Sequence, residues 1–181
     1  MGMKTSEGFS LMETMIVLLI LSIIVTIGLP SIGKSSRAAR LSGAVNEIIS
    51  AIDYARVTAM NSGCSTMVTM DDSNDSIRVR QFLPWKNLLG TETVLDENDV
   101  ENGHFATMEH PLNRGTDYYI IFSDEARFNS VDIVSSVFDS HDYVIFSSSG
   151  TPSSGGSVTI TCGDLRTVLN LDSTSGMVTK S

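Results

Sequence analysis

The chain has 181 residues, of which 41% are apolar, and a formal net charge of −9 with two cysteines. That length suits one ordinary domain plus an appended segment. The acidic balance repels phosphate backbones and argues against general nucleic-acid binding.

The first element is an apolar run. Leu11 to Leu29 is 19 residues, about 28 Å of helix at ~1.5 Å per residue, close to a ~30 Å hydrocarbon core. It carries one carboxylate, Glu13. A plain membrane anchor explains the length but not the acid. A secretory signal peptide fits poorly, because no A-x-A-like site follows and only Lys4 gives the preceding segment positive charge. In a third reading Gly8 ends a short polar leader, Phe9 begins the mature chain, and Glu13 becomes its fifth residue.

Gly8-Phe9-Ser10-Leu11-Met12-Glu13, followed by about twenty apolar residues and Pro30, resembles the N-terminus of the type IV pilin family, which includes the pseudopilins of type II secretion systems. The resemblance implies cleavage after Gly8 by a prepilin peptidase and N-methylation of Phe9. It also implies a single-pass protein of the bacterial inner membrane with a periplasmic head, which then joins a pilus or pseudopilus. An intramembrane acid costs a few kcal/mol and marks a functional site by default. The Phe9 amine lies four residues before Glu13, on the same helix face. The resemblance assigns Glu13 to pairing with the Phe9 amine of a neighbouring subunit, so that a misregistered subunit leaves a charge buried and unpaired. Lys34, Arg37 and Arg40 after the run would alone favour the opposite orientation. The more specific motif overrules them.

After the run, Leu41, Val45, Ile48, Ile49, Ile52, Ala55 and Ala59 recur at three- and four-residue steps. That predicts an amphipathic helix ending near Asn61-Ser62-Gly63, with Gly63 as its C-terminal cap. Gly28, Pro30 and Gly33 predict a bend or melted stretch in between. Alternation then predicts strands at Cys64–Met70 and Ser76–Phe82 around an acidic turn, Asp71 to Asp75, and from Tyr118, Tyr143, Ser157, Arg166 and Gly176. Leu95 to Gly115 reads as an irregular acidic loop, and Ser147–Gly156 as a flexible connection.

"AIDYARVTAMNSG" before the first strand, and the closing "FSSSGTPSSGGSVTITCGDLRTVLNLDSTSGMV", resemble the GspH/FimT branch of minor pilins and pseudopilins. The fold expected is α+β, a long N-terminal helix packed on a C-terminal antiparallel β-sheet head. Its parts are a leader (1–8), a transmembrane half-helix (9–30), an amphipathic half-helix (31–62) and a β-rich head (63–181). The expected partners are the prepilin peptidase, other minor and major pilins or pseudopilins, and the inner membrane, with placement at or near the filament tip. Some members of the branch bind DNA through basic residues near the C-terminus. Here Met177 stands where one would be expected and only Lys180 is nearby, so DNA binding is not favoured.

In an extracytoplasmic head, Cys64 and Cys162 either bridge, closing a loop of about a hundred residues worth over ~4 kcal/mol on chain-entropy grounds, or remain buried free thiols. The bridge is the favoured alternative. Asp71, Asp72, Asn74 and Asp75 lack EF-hand spacing and read as a solvated turn. His104, His110 and His141 show no metal-ligand spacing, and no nucleophile-elbow or phosphate-loop motif occurs. No catalytic residue, cofactor or metal is expected.

Overall fold

The computed structural model describes residues 10–82 and 105–181, with side chains of 25–32 left aside. Two compact units result, Met1–Arg37 and Ala38–Ser181. Helix α1 runs from Leu11 to Ser62. No melted stretch interrupts it at Gly28, Pro30 or Gly33. Proline removes one bond of the helical ladder and an interior glycine costs about 1 kcal/mol, losses that a helix of this length absorbs without unwinding. The predicted end holds. Gly63 takes φ +70 and its N–H bonds the Ala59 carbonyl at 3.0 Å, a left-handed cap that a residue with a Cβ would enter only under strain.

Among the described residues eleven strands follow, in two main antiparallel sheets. In the first, β1 (Thr66–Asp71) lies between β2 (Ser76–Phe82) and a later strand, β8 (Tyr143–Phe146). Two short strands share the far edge of β2: β3 (Phe105–Thr107) beside Arg80 to Phe82, and β6 (Tyr119–Ile121) beside Ser76 to Arg78. Between them the chain makes a separate hairpin, β4 (Glu109–His110) with β5 (Asn113–Asp117). The second sheet has the order β11-β10-β9-β7. Its members are β7 (Val131–Val137), β9 (Gly156–Cys162), β10 (Leu165–Leu171) and β11 (Val178–Lys180).

One buried cluster joins the helix to both sheets. Leu41, Ala44, Val45, Ile48, Ala51, Ile52, Ala55 and Ala59 meet Val68, Met70, Ile77, Val79 and Val144 of the first sheet. They also meet Val131, Ile133, Val158, Ile160 and Leu169 of the second. The helical periodicity thus anticipates the buried stripe, to which the structure adds Ala44 and Ala51. A smaller cluster, Met67, Phe82, Phe105 and Ile145, is also buried. Met67 and Ile145 alternate with core residues along β1 and β8, which places this cluster on the other face of the first sheet. The helix is stapled to the first sheet where the Thr66 hydroxyl donates to the Ala55 carbonyl at 2.7 Å.

Several expectations are corrected. Of the proposed loop from Leu95 to Gly115, residues 95–104 lie outside the described ones, while 105–115 contribute to β3, β4 and β5. Packing of Phe105 on Phe82, with ring centroids 5.6 Å apart, favours strand there. Ser147–Gly156 is held rather than loose. Ser147 N–H bonds the Thr151 carbonyl, Ser153 N–H bonds the Ile145 carbonyl, and a Cβ on Gly156 would lie 2.3 Å from the Val137 oxygen. Strand β7 was not anticipated.

Cys64 and Cys162 are free thiols, Cys162 buried and Cys64 half-buried. The register explains why. Ser136 and Ile133 of β7 bond Met70 and Asp75, so the Val131–Cys162 end of the second sheet lies beyond the β1–β2 turn. Cys64 precedes the opposite end of β1. That separation is roughly 20 Å at ~3.3 Å per residue, far beyond the ~7 Å a disulfide tolerates between Cα atoms.

Candidate assembly surface

In the first unit, every large apolar side chain from Leu11 to Ile24 is exposed, Leu11 at 78%. These eleven residues fall on all sides of the helix, so no single face is the sticky one. Burying each would contribute ~1.5–3 kcal/mol, or on the order of 20 kcal/mol in all as an upper estimate. The polar side chains within the run are spent on the helix itself. Thr14 Oγ1 donates to the Leu11 carbonyl at 2.8 Å and Ser22 Oγ to the Leu19 carbonyl at 2.7 Å. Glu13 is the charge in this stretch. It sits exposed in the first turn, its N–H on the Ser10 carbonyl at 3.0 Å, where the helix dipole favours an acid. A continuous exposed apolar surface of this kind marks an interaction site. Gly8 and Phe9, the expected cleavage and methylation positions, lie outside the described residues. Among the described residues no helix is long and apolar enough to cross a membrane.

In the head, the feature that sequence reasoning missed is built around Glu47. The β4–β5 hairpin is an insertion into the strand opposite β2. Met108 N–H bonds the Val79 carbonyl, Val79 N–H bonds the Tyr118 carbonyl, and Tyr118 N–H bonds the Met108 carbonyl. Both ends of the hairpin therefore sit at one rung of the sheet. Its base is fastened to α1. The Tyr118 hydroxyl donates to Glu47 Oε1 at 3.2 Å, His110 Nε2 lies 3.7 Å from the same oxygen, and Arg127 lies 3.6 Å from Oε2. Burial, with the Glu47 charge next, pushes the Tyr118 hydroxyl well above the usual tyrosine range. His110 stacks at 4.5 Å on Tyr118 and accepts the Leu112 N–H on Nδ1, which places its proton on Nε2, toward Glu47. At the tip, Leu112 is 91% exposed. The available signal was position: Glu47 stands three residues after Ala44 and four before Ala51, beside the buried stripe.

The acidic turn is bonded within itself at Asp71 and to β7 at Asp75. Asp71 Oδ1 accepts the Ser73 and Asn74 N–H groups, and its Oδ2 accepts Asn74 Nδ2 at 2.6 Å. These bonds, the Asn74 side chain first, hold the Asp71 carboxyl below its ordinary range. Asp75 Oδ1 accepts the Ile133 N–H at 2.7 Å. Among the described residues, no three His, Cys, Asp or Glu side chains gather as a metal site. Met177 is exposed and Lys180 lies on β11.

A helix with an uncovered apolar start, whose later turns carry an antiparallel two-sheet head, defines a pilin-like subunit. The family model described as type II transport protein GspH matches residues 44–175, and the chain belongs to that family. Among solved structures it is similar to the minor pseudopilin EpsH from the type 2 secretion system of Vibrio cholerae, with a TM-score of 0.53 and 9% identity over 78% of this chain and 96% of that one. It is also similar to the type IV minor pilin FimU of Pseudomonas aeruginosa, with a TM-score of 0.46 and 14% identity over 78% of this chain and 87% of that one. At these identities the EpsH likeness concerns the fold alone. No curated protein matches the chain.

Proposed function

We propose that the chain is a minor pseudopilin or minor pilin, a structural subunit rather than an enzyme, that enters its filament at or near the tip. A prepilin peptidase cleaves it between Gly8 and Phe9, the new Phe9 amine is methylated, and Leu11 to Leu29 holds it in the inner membrane with the head in the periplasm. Leu11 to Leu29 then exchanges lipid for the helices of neighbouring subunits, major and minor. Glu13 neutralises the Phe9 amine of an adjacent subunit and fixes register. The observation that carries this reading is the all-round exposed apolar helix with Glu13 as its one charge from Leu11 to Ile24. Such a surface has two sinks, lipid and like helices, and a lone acid is useful only in the second. The family description favours a type II transport machine over a pilus.

The test is the intact mass and N-terminal sequence of membrane-extracted protein from cells with and without their prepilin peptidase. A chain beginning at methylated Phe9 only when the peptidase is present supports the reading, as does loss of filament incorporation in Glu13→Gln with membrane insertion retained. A chain starting at Met1 in both strains removes it.

A further inference from the structure

Two adjoining cavities, about 270 and 610 Å³, share Asp139, Ser153 and Ser154. Together they make a groove where the end of β7 meets the loop that crosses from β8 to β9. The first is also lined by His141 and Tyr143, and the second by Ser157. We propose that this groove binds a neutral oligosaccharide.

Unspent hydrogen-bonding capacity comes first. Three polar clusters elsewhere in the head satisfy themselves: Asp71 with Ser73 and Asn74, Asp172 with Thr174 and Ser175, Ser149 with Ser147 and Thr151. In the groove, the side chains of Asp139, Tyr143, Ser154 and Ser157 have no hydrogen-bond partner among the described residues. Ser153 Oγ accepts the Ile145 N–H at 3.1 Å, which leaves its own proton to donate.

The turn chemistry is the second argument. Phe138 and His141 exchange both backbone bonds, at 2.9 and 3.1 Å, across a two-residue turn with φ +49 at Asp139 and +81 at Ser140. Such a turn favours Asn-Gly. Ser140 accepts an uncommon backbone conformation, and Asp139 places a carboxylate on the groove wall. Strain of this kind collects at binding sites.

The ligand class follows from the lining. No Lys or Arg lines the groove among the described residues, and Asp139 does, so phosphates and carboxylates are repelled. The lining is mainly hydroxyl, carboxylate and ring, with Ile145 and Val137 as its large apolar members, which does not suit a greasy ligand. A peptide adding to the edge of β8 finds it occupied, because the Ile145 N–H and carbonyl are both bonded to Ser153. The hydroxyl-rich, ring-bearing lining best matches a ligand with many neutral hydroxyls and apolar ring faces. His141 and Tyr143, with ring centroids 4.9 Å apart, supply flat surface for those faces, and Asp139 supplies two acceptors for vicinal hydroxyls.

The experiment is saturation-transfer NMR of the full chain in a non-glycosidic detergent, titrated with malto-, cello-, chito- and mannotetraose. Saturable millimolar or tighter binding of one of them is expected. It should weaken by about tenfold or more in Asp139→Asn, which keeps the positive φ accessible, and in the exposed His141→Ala. Leu112→Ala, on the inserted hairpin, should bind as the parent does, and all three should melt as the parent does. Absence of saturable binding to all four sugars overturns the proposal. So does binding that neither Asp139→Asn nor His141→Ala weakens, or preferential binding of a neutral extended peptide.

Discussion

Asp75 shows how one side chain can be both a fixture and a burden. Its Oδ1 accepts the Ile133 N–H and ties the β1–β2 turn to the second sheet. Burial, aided by Asp132, Asp71 and Asp72, raises its pKa above the ordinary 3.8. A carboxyl whose pKa is higher folded than unfolded favours folding in its protonated form. The penalty on the charged form is therefore felt above the raised value and fades as pH falls below 3.8. Asn keeps the acceptor, tolerates the positive φ of 47 and removes the charge. Asp75→Asn should melt slightly higher than the parent at neutral pH, a modest gain given how much solvent the group still sees, and the gap should close near pH 3. A variant that melts lower at neutral pH would show that the charge itself is needed. The thiols make a second prediction. Native alkylation should label Cys64 alone, with Cys162 reacting only after denaturation, as read by intact mass. A chain that takes up no label in denaturant without reductant would instead be bridged. Sequence could locate these residues but not pair them, because pairing depends on which end of β1 each one reaches.

Among the elements, legibility tracked periodicity. The buried stripe of α1, both strands of the first hairpin, and β8 to β11 follow from apolar spacing that the fold preserves. Strand β7 does not. A bulge between Ile133 and Ser135 shifts its register, Ser136 turns inward to bond the Met70 carbonyl, and Val134 and Val137 are left exposed. The alternation that would announce a strand is therefore scrambled. The inserted hairpin was hidden for another reason: its stabilising partners, Glu47 and Tyr54, are more than fifty residues away in sequence. Because Met108 and Tyr118 meet at Val79, replacing Glu109–Asp117 with Asn-Gly should leave a cooperatively folding head. The cost should be about 1–2 kcal/mol from losing the His110–Glu47 contact and the Tyr54 bond to the Glu109 carbonyl, some 2–4 °C in midpoint per kcal/mol. Loss of cooperative melting would mean that the hairpin is part of the core rather than an attachment.

At the scale of the molecule, the buried core of the described residues lies within Ala38–Ser181, and the continuous run of exposed apolar side chains lies at the start of α1. A chain beginning at Ala38 should be soluble and monomeric without detergent, with one cooperative transition, whereas the chain from Phe9 should require detergent or lipid. Sedimentation in the two conditions decides it. Aggregation of the shorter form would place part of the sticky surface on the head.

The interleaving of β7 and β8 has a consequence for the order of events during synthesis. The chain enters the second sheet at β7, returns to the first for β8, and only then lays down β9 to β11. The first sheet therefore waits for Tyr143–Phe146, and β7 has no ladder partner until Gly156–Cys162 arrives. Contacts this distant in sequence form late. A nascent chain that stops before Tyr143 would lack β8 and leave the first sheet open, with β7 still unpartnered. On the membrane reading, the head would stay threadable through a translocation pore until nearly all of it had been made, and would fold once, on the far side.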